Sequence, residues 1–94
     1  MVQYMDGLLG ERVTFPQEKL AFTVRPLRSA AQLAVLQERS KRKGRIEEGL
    51  LMIRTLEMGV VDPRMDEDAV TKLMADMPNV AAALAIRIIE LTTG

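Results

Sequence analysis

Cysteine, histidine and tryptophan are missing from this chain of 94 residues. Without thiolates there is no disulfide framework, no cysteine nucleophile and no zinc–thiolate site. Without imidazole, the usual nucleophile-and-base pairs and histidine metal sites are excluded too. Neither G-x-G-x-x-G nor the P-loop pattern occurs, so no glycine-rich loop is built to hold phosphate. Carboxylate catalysis would need paired acids in a cleft. The acids here sit mainly at predicted helix starts, where capping accounts for them. The expectation is a protein that is not an enzyme and takes no cofactor or metal.

Aromatic residues are scarce at 3% (Tyr4, Phe15, Phe22), so Leu, Ile, Val, Ala and seven Met must fill the interior. A hydrophobic fraction of 48% with only four prolines argues for a packed fold rather than disorder. The length suits one domain, 1–94, and a chain this small buries roughly 60–65% of its unfolded surface. Met in such numbers suits a surface that re-packs against partners, but it also merely replaces Leu in helices.

Long apolar runs are lacking as well. The longest, Val80 to Ile86, stops at Arg87 and falls far short of the roughly 20 residues a bilayer requires. The N-terminus lacks a basic region followed by an apolar stretch, so no secretory leader is expected. These features predict a protein of the cytoplasm or of a soluble assembly, with no membrane partner.

What is present is a lopsided distribution of charge. Lys and Arg number 13, as do Asp and Glu, yet the two signs are unevenly placed. Residues 1–45 hold nine cations against four acids, a net of +5, and residues 46–94 reverse this to −5. The halves can neutralise each other within one molecule. They can equally do so between molecules, the basic end of one chain meeting the acidic end of the next, as a head-to-tail oligomer.

Read along the chain, residues 1–11 with Gly7 and Gly10 form a loose lead-in. Two β-prone stretches flank Pro16-Gln17-Glu18-Lys19 and predict a hairpin over 12–25, ended by Pro26. Ser29 and Gln32 have capping-box spacing and open a helix over 29–43. After Gly44 a second helix is predicted over 45–58, with Gly59 as its left-handed cap. Val60-Val61-Asp62-Pro63 is an extended connector. Asp66 caps a third helix over 66–77, with Glu67 and Asp68 in its first turn. Pro78 breaks the chain and Asn79 caps a fourth helix over 80–91. The fold class is therefore mainly α: about four short helices and a small N-terminal β-hairpin.

The fourth helix is apolar nearly all round, with only Arg87 and Glu90 as a polar strip. Such a helix is either central to its own domain or part of an interface between chains. Leu84, Ile88 and Leu91 are the residues expected to contribute to a protein contact. Five cations fall within Arg39–Arg45, and three readings stay open: phosphate contact on nucleic acid, docking onto an acidic partner, or a solvated helix end. Nucleic acid is disfavoured by the zero net charge and by the lack of interleaved aromatics. Arg39, Arg42 and Lys43 are the candidates to complement an acidic patch around Asp66 and Asp68. The alternating acids from Asp62 to Asp68 do not make a calcium loop, because Glu67 stands where glycine is required and Leu73 where the closing glutamate belongs.

Three stretches carry a likeness to a known family. Phe22-Thr23-Val24-Arg25-Pro26-Leu27, Gly59-Val60-Val61-Asp62-Pro63-Arg64-Met65 and Ile88-Ile89-Glu90-Leu91-Thr92-Thr93-Gly94 resemble, in order and spacing, segments of the tail assembly chaperones of long-tailed phages. The resemblance spans about residues 20–94. It implies a mostly helical, self-associating protein of the host cytoplasm that binds the tape-measure protein, keeps its long helices soluble and recruits tail-tube subunits. A small helical DNA-binding regulator and a structural virion connector subunit are the alternatives.

Overall fold

The computed structural model describes residues 10–27 and 29–93; the predicted lead-in lies almost entirely outside these. The chain runs β1 (Glu11–Phe15), β2 (Leu20–Val24), α1 (Ala30–Arg39), β3 (Lys41–Arg42), β4 (Arg45–Ile46), α2 (Glu48–Gly59), β5 (Val60–Asp62), α3 (Glu67–Asp76) and α4 (Pro78–Thr93). Mainly α with an N-terminal hairpin is the observed class.

The hairpin pairs Val13 with Phe22 and Phe15 with Leu20 across a tight turn closed by Lys19 N–H donating to the Pro16 carbonyl at 3.2 Å. Alternation along both strands turns Val13, Phe15, Leu20, Phe22 and Val24 to one face. Phe15 and Phe22 meet edge to face at 6.0 Å on that side. A third strand, β5, lies antiparallel to β2 with Val24 opposite Val60. The sequence reading had Val60–Asp62 only as an extended connector. Three residues are too few to show a period, and their pairing depends on β2, more than thirty residues away.

Ser29 accepts from Gln32 N–H at 3.2 Å, as the capping spacing predicts. The helix it opens ends at Arg39 rather than at Lys43. Ser40 is fully buried, donates its hydroxyl to the Leu36 carbonyl at 2.6 Å and terminates the helix there. The following residues turn back on themselves. Lys43 (φ 52°) and Gly44 (φ 80°) both take left-handed angles, the geometry of a type I′ turn, so Arg39–Arg45 becomes a helix end plus a β-hairpin. The predicted second helix accordingly starts later, at Glu48.

Gly59 is a further correction. It is the last residue of α2 without a positive φ, so it is no left-handed cap. Glycine is needed there because α4 passes directly over it: an added Cβ would lie 2.8 Å from both Ile88 Cγ1 and Cγ2, with Cδ1 closer still. The break predicted at Pro78 is present one residue earlier, at Met77 (φ −141°, ψ 70°), since the residue before a proline avoids helical angles, but Asn79 is not the cap. Pro78 is the first residue of α4, where a missing N–H costs nothing, and the Met77 carbonyl accepts the first helical bonds from Val80 and Ala81.

The core forms where α4 meets α1, α2, α3 and β2. Val80, Ala81, Leu84, Ala85 and Ile88 make one buried stripe at helical spacing, against Leu56, Val70, Leu73, Val60, Leu36 and Phe22 from the surrounding elements. Of the two roles open to the apolar helix, it takes the central one.

Candidate protein-binding surfaces

Leu84 and Ile88 are completely enclosed by their own chain, and Leu91 is half-buried against the core. Leu84 and Ile88 therefore cannot serve as an exposed contact face, which corrects the expectation drawn from the helix's composition. The apolar side chain that α4 does present is Ile86, 57% exposed, with Ala82 and Ala83 half-buried one turn earlier; Val35 on α1 is exposed too. A count of apolar residues around a helix could not separate these positions. The buried stripe is set by which neighbours arrive, and α4 has neighbours on several sides.

The cationic residues are gathered on the β3–β4 hairpin and the helix end before it. The two strands pair Lys41 with Ile46 and Arg42 with Arg45, and Glu47 N–H donates to the Ser40 carbonyl at 2.8 Å to close the base. Lys41 Nζ binds Glu38 at 2.7 Å and Arg42 Nε binds Glu47 at 2.8 Å. Arg39, Lys43 and Arg45 are exposed and enter no ion pair among the described residues.

Asp66 does what its position predicts, accepting from Ala69 N–H at 2.8 Å as the N-cap of α3. Glu67 and Asp68 stand exposed in the first turn. No ion pair joins Arg39, Arg42 or Lys43 to Asp66 or Asp68 among the described residues. The connectivity explains why. The hairpin immediately precedes α2 and the acidic turn follows it through β5, so the 12 residues of α2, about 18 Å of helix, lie between them.

The ion pair with most contact was not foreseen. Arg87 reaches from α4 to Glu11 at the start of β1, donating Nε to Oε2 at 2.6 Å and Nη2 to Oε1 at 2.7 Å. Glu11 lies on the inward face of the hairpin, opposite Val24, at the end where α4 crosses. This bidentate bond holds the Glu11 carboxyl below its ordinary 4.5, against a smaller opposing effect of burial. The same contact, with Glu90 adding to it, raises Arg87. A separation of 76 residues left no local signal by which the pair could be read.

No family model, curated protein or solved structure matches this chain. Its surface chemistry is therefore read from its own geometry. Among the described residues, one surface hollow of about 380 Å³ is lined by Arg25, Pro26, Leu27, Gln32 and Met58, and another of about 520 Å³ by Glu57, Arg64, Met65, Asp66 and Ala69. Among the described residues no group of three or more acids is placed to hold a metal ion, and no helix is long and apolar enough to cross a membrane. Among the described residues the surface offers separated charge and two large exposed apolar side chains, Val35 and Ile86.

Proposed function

We infer that this chain acts by binding other proteins, without catalysing a reaction, as a tail assembly chaperone of a long-tailed phage. In that role it binds the tape-measure protein and tail-tube subunits in the host cytoplasm. What supports the reading is the way its three resembling segments lie against one another. Val24 pairs with Val60, and Arg25 N–H donates to the Gly59 carbonyl at 2.8 Å, which brings the first segment onto the second. Leu27 N–H donates to Thr92 Oγ1 at 2.9 Å, which brings it onto the third, and Gly59 packs under Ile88. Segments far apart in the chain thus constitute one junction.

The test is copurification. Co-expressed with a tape-measure protein from the same genome, the chain should hold that protein in the soluble fraction and elute with it. A tape-measure protein that aggregates to the same extent with and without the chain, and no complex with a tube subunit, would overturn the reading. Finished particles should lack the chain; its presence there at fixed stoichiometry would assign it to the virion instead.

A further inference from the structure

We propose that the hollow between the β2–α1 corner and α2 is a carboxylate site that takes the C-terminal residue of a partner peptide. The terminal carboxylate would bind Arg25 and the Gln32 amide, with Arg54 beside them, and the aliphatic side chain would rest on Leu27 and Met58. This assignment is independent of the chaperone reading, because it depends only on what lines the hollow.

The hollow, about 380 Å³, falls among small-ligand sites, which span roughly 300–1,000 Å³. It is lined by Arg25, Pro26, Leu27, Gln32 and Met58, and so offers donors and apolar surface but no acid. The chain leaves those donors without good acceptors. Arg25 is exposed and enters no ion pair among the described residues. Its backbone N–H donates to the Gly59 carbonyl at 2.8 Å, which anchors the residue beside the hollow. The Gln32 side chain donates Nε2 to the Met58 sulfur at 4.0 Å, and a thioether is a weak acceptor. Arg54 stands one turn before Met58, on the same side of α2, and its buried Nε has no hydrogen-bond partner among the described residues. Buried donors of this kind are costly and rare. The α1–α2 seam runs from the Gln32–Met58 contact to the Glu47–Ser40 bond, so Arg54 falls along the seam that begins at the hollow.

Donors gathered at an acid-free hollow call for an anion that accepts several hydrogen bonds. A carboxylate does so with two oxygens, and a guanidinium grips it through two parallel bonds. The apolar part of the wall narrows the choice. Leu27 is 4% exposed and Met58 half-buried, and both lie beside the donors. A C-terminal leucine, isoleucine or valine carries carboxylate and aliphatic side chain on one carbon, and so fills both halves of the hollow at once. An aspartate or glutamate within a chain brings the carboxylate without the aliphatic group, and inorganic phosphate lacks that group too. The second hollow differs. It mixes Arg64 with Glu57 and Asp66, and Asp66 is already engaged as the cap of α3, so its opposed charges select no anion.

NMR titration of the whole isotope-labelled chain tests this with an acetylated Ser-Gly-Ser-Leu peptide bearing a free carboxylate. It should shift the amides of Leu27, Gln32 and Met58 with a Kd of about 0.1–10 mM, the strength of a few hydrogen bonds and one partly buried aliphatic side chain. The same peptide ending in an amide should bind about ten-fold more weakly or worse, since the charged acceptor is gone. Arg25→Gln, at an exposed position that folding does not need, should weaken the free acid by about two- to five-fold and leave the amide form unchanged. Arg25→Gln/Arg54→Gln should weaken it by about ten-fold or more, whereas Lys72→Gln, at an exposed cation on α3, should change nothing. If the double variant fails to fold, Arg25→Gln alone decides. Equal binding of acid and amide, no shift at the hollow at about 20 mM peptide, or affinity that Arg25→Gln leaves unaltered overturns the proposal. So does inorganic phosphate, or an amidated peptide whose one acid is an internal glutamate, that shifts the same amides as strongly.

Discussion

Replacing Gly59 by alanine should destabilise this protein, although glycine in a helix normally invites that exchange. Alanine in a helix gains about 1 kcal/mol over glycine in propensity, and less at a final turn. Against this stands Ile88. Its Cγ1 and Cγ2 would both sit 2.8 Å from the new methyl, and Cδ1 nearer, so rotation about χ1 exchanges one branch for another without clearing the space. Ile88 is fully buried on the central helix, and relief requires α4 itself to shift. Overpacking of that kind costs about 1–3 kcal/mol. The net loss is up to about 2 kcal/mol, or a fall in Tm of up to about 16 °C for a domain of this size. A double-mutant cycle isolates the cause. Ile88→Ala alone should cost about 2–5 kcal/mol by leaving a cavity. In the Ile88→Ala background, Gly59→Ala fills part of that cavity and should cost nothing or stabilise slightly, giving a coupling of about 1–3 kcal/mol. Urea titrations of the four proteins provide the measurement. A higher Tm for Gly59→Ala, or single effects that add to within about 0.5 kcal/mol, would refute the reasoning.

Three further predictions rest on local contacts. Asp66→Ala should lose about 1 kcal/mol of stability in urea titration by removing the cap on Ala69, while Asp66→Asn keeps most of it; equal losses would show that the cap is not what matters. Because Arg87 holds the folded Glu11 carboxyl below 4.5, the stability this pair lends is complete above the unfolded value and fades as pH falls through the lowered one. Glu11→Gln should therefore be less stable than wild type near neutrality, the gap closing as pH falls below 4.5; a gap independent of pH in denaturant midpoints would contradict this. Lys43→Gly relieves a left-handed lysine costing about 1–3 kcal/mol and concedes about 0.5–1 in backbone entropy, so thermal melts should show it up to about 2.5 kcal/mol more stable; a lower Tm would oppose that assignment.

Legibility in the sequence followed the range of the interactions. The Pro16–Lys19 turn, the Ser29 cap and the Asp66 cap are each decided within a few residues, and each stands where the spacing put it. Errors arose where a distant partner decides. Gly59 looked like a helix terminator, and only the passage of Ile88 explains it. The Glu11–Arg87 pair closes across nearly the whole chain. The Arg39–Arg45 run was misread for a different reason. Lysine is an uncommon first residue of a type I′ turn, so Gly44 looked like a break between helices instead of the second turn residue.

The sequence displayed two surpluses, an over-apolar final helix and a divided charge, and folding treats them differently. The first is consumed internally: α4 is surrounded by α1, α2, α3 and β2, and its buried stripe leaves only Ile86 as a large apolar side chain in the open. The second survives. Arg12, Lys41, Arg42 and Arg87 find acids in the chain; Arg39, Lys43 and Arg45 find none among the described residues, nor do Lys19, Arg25, Arg54, Arg64 and Lys72. A strained turn and a like-charged cross-strand pair hold Arg39, Lys43 and Arg45 at one end of α2, with Glu67 and Asp68 towards the other. Folding, which rests on an uncharged core, should depend little on salt.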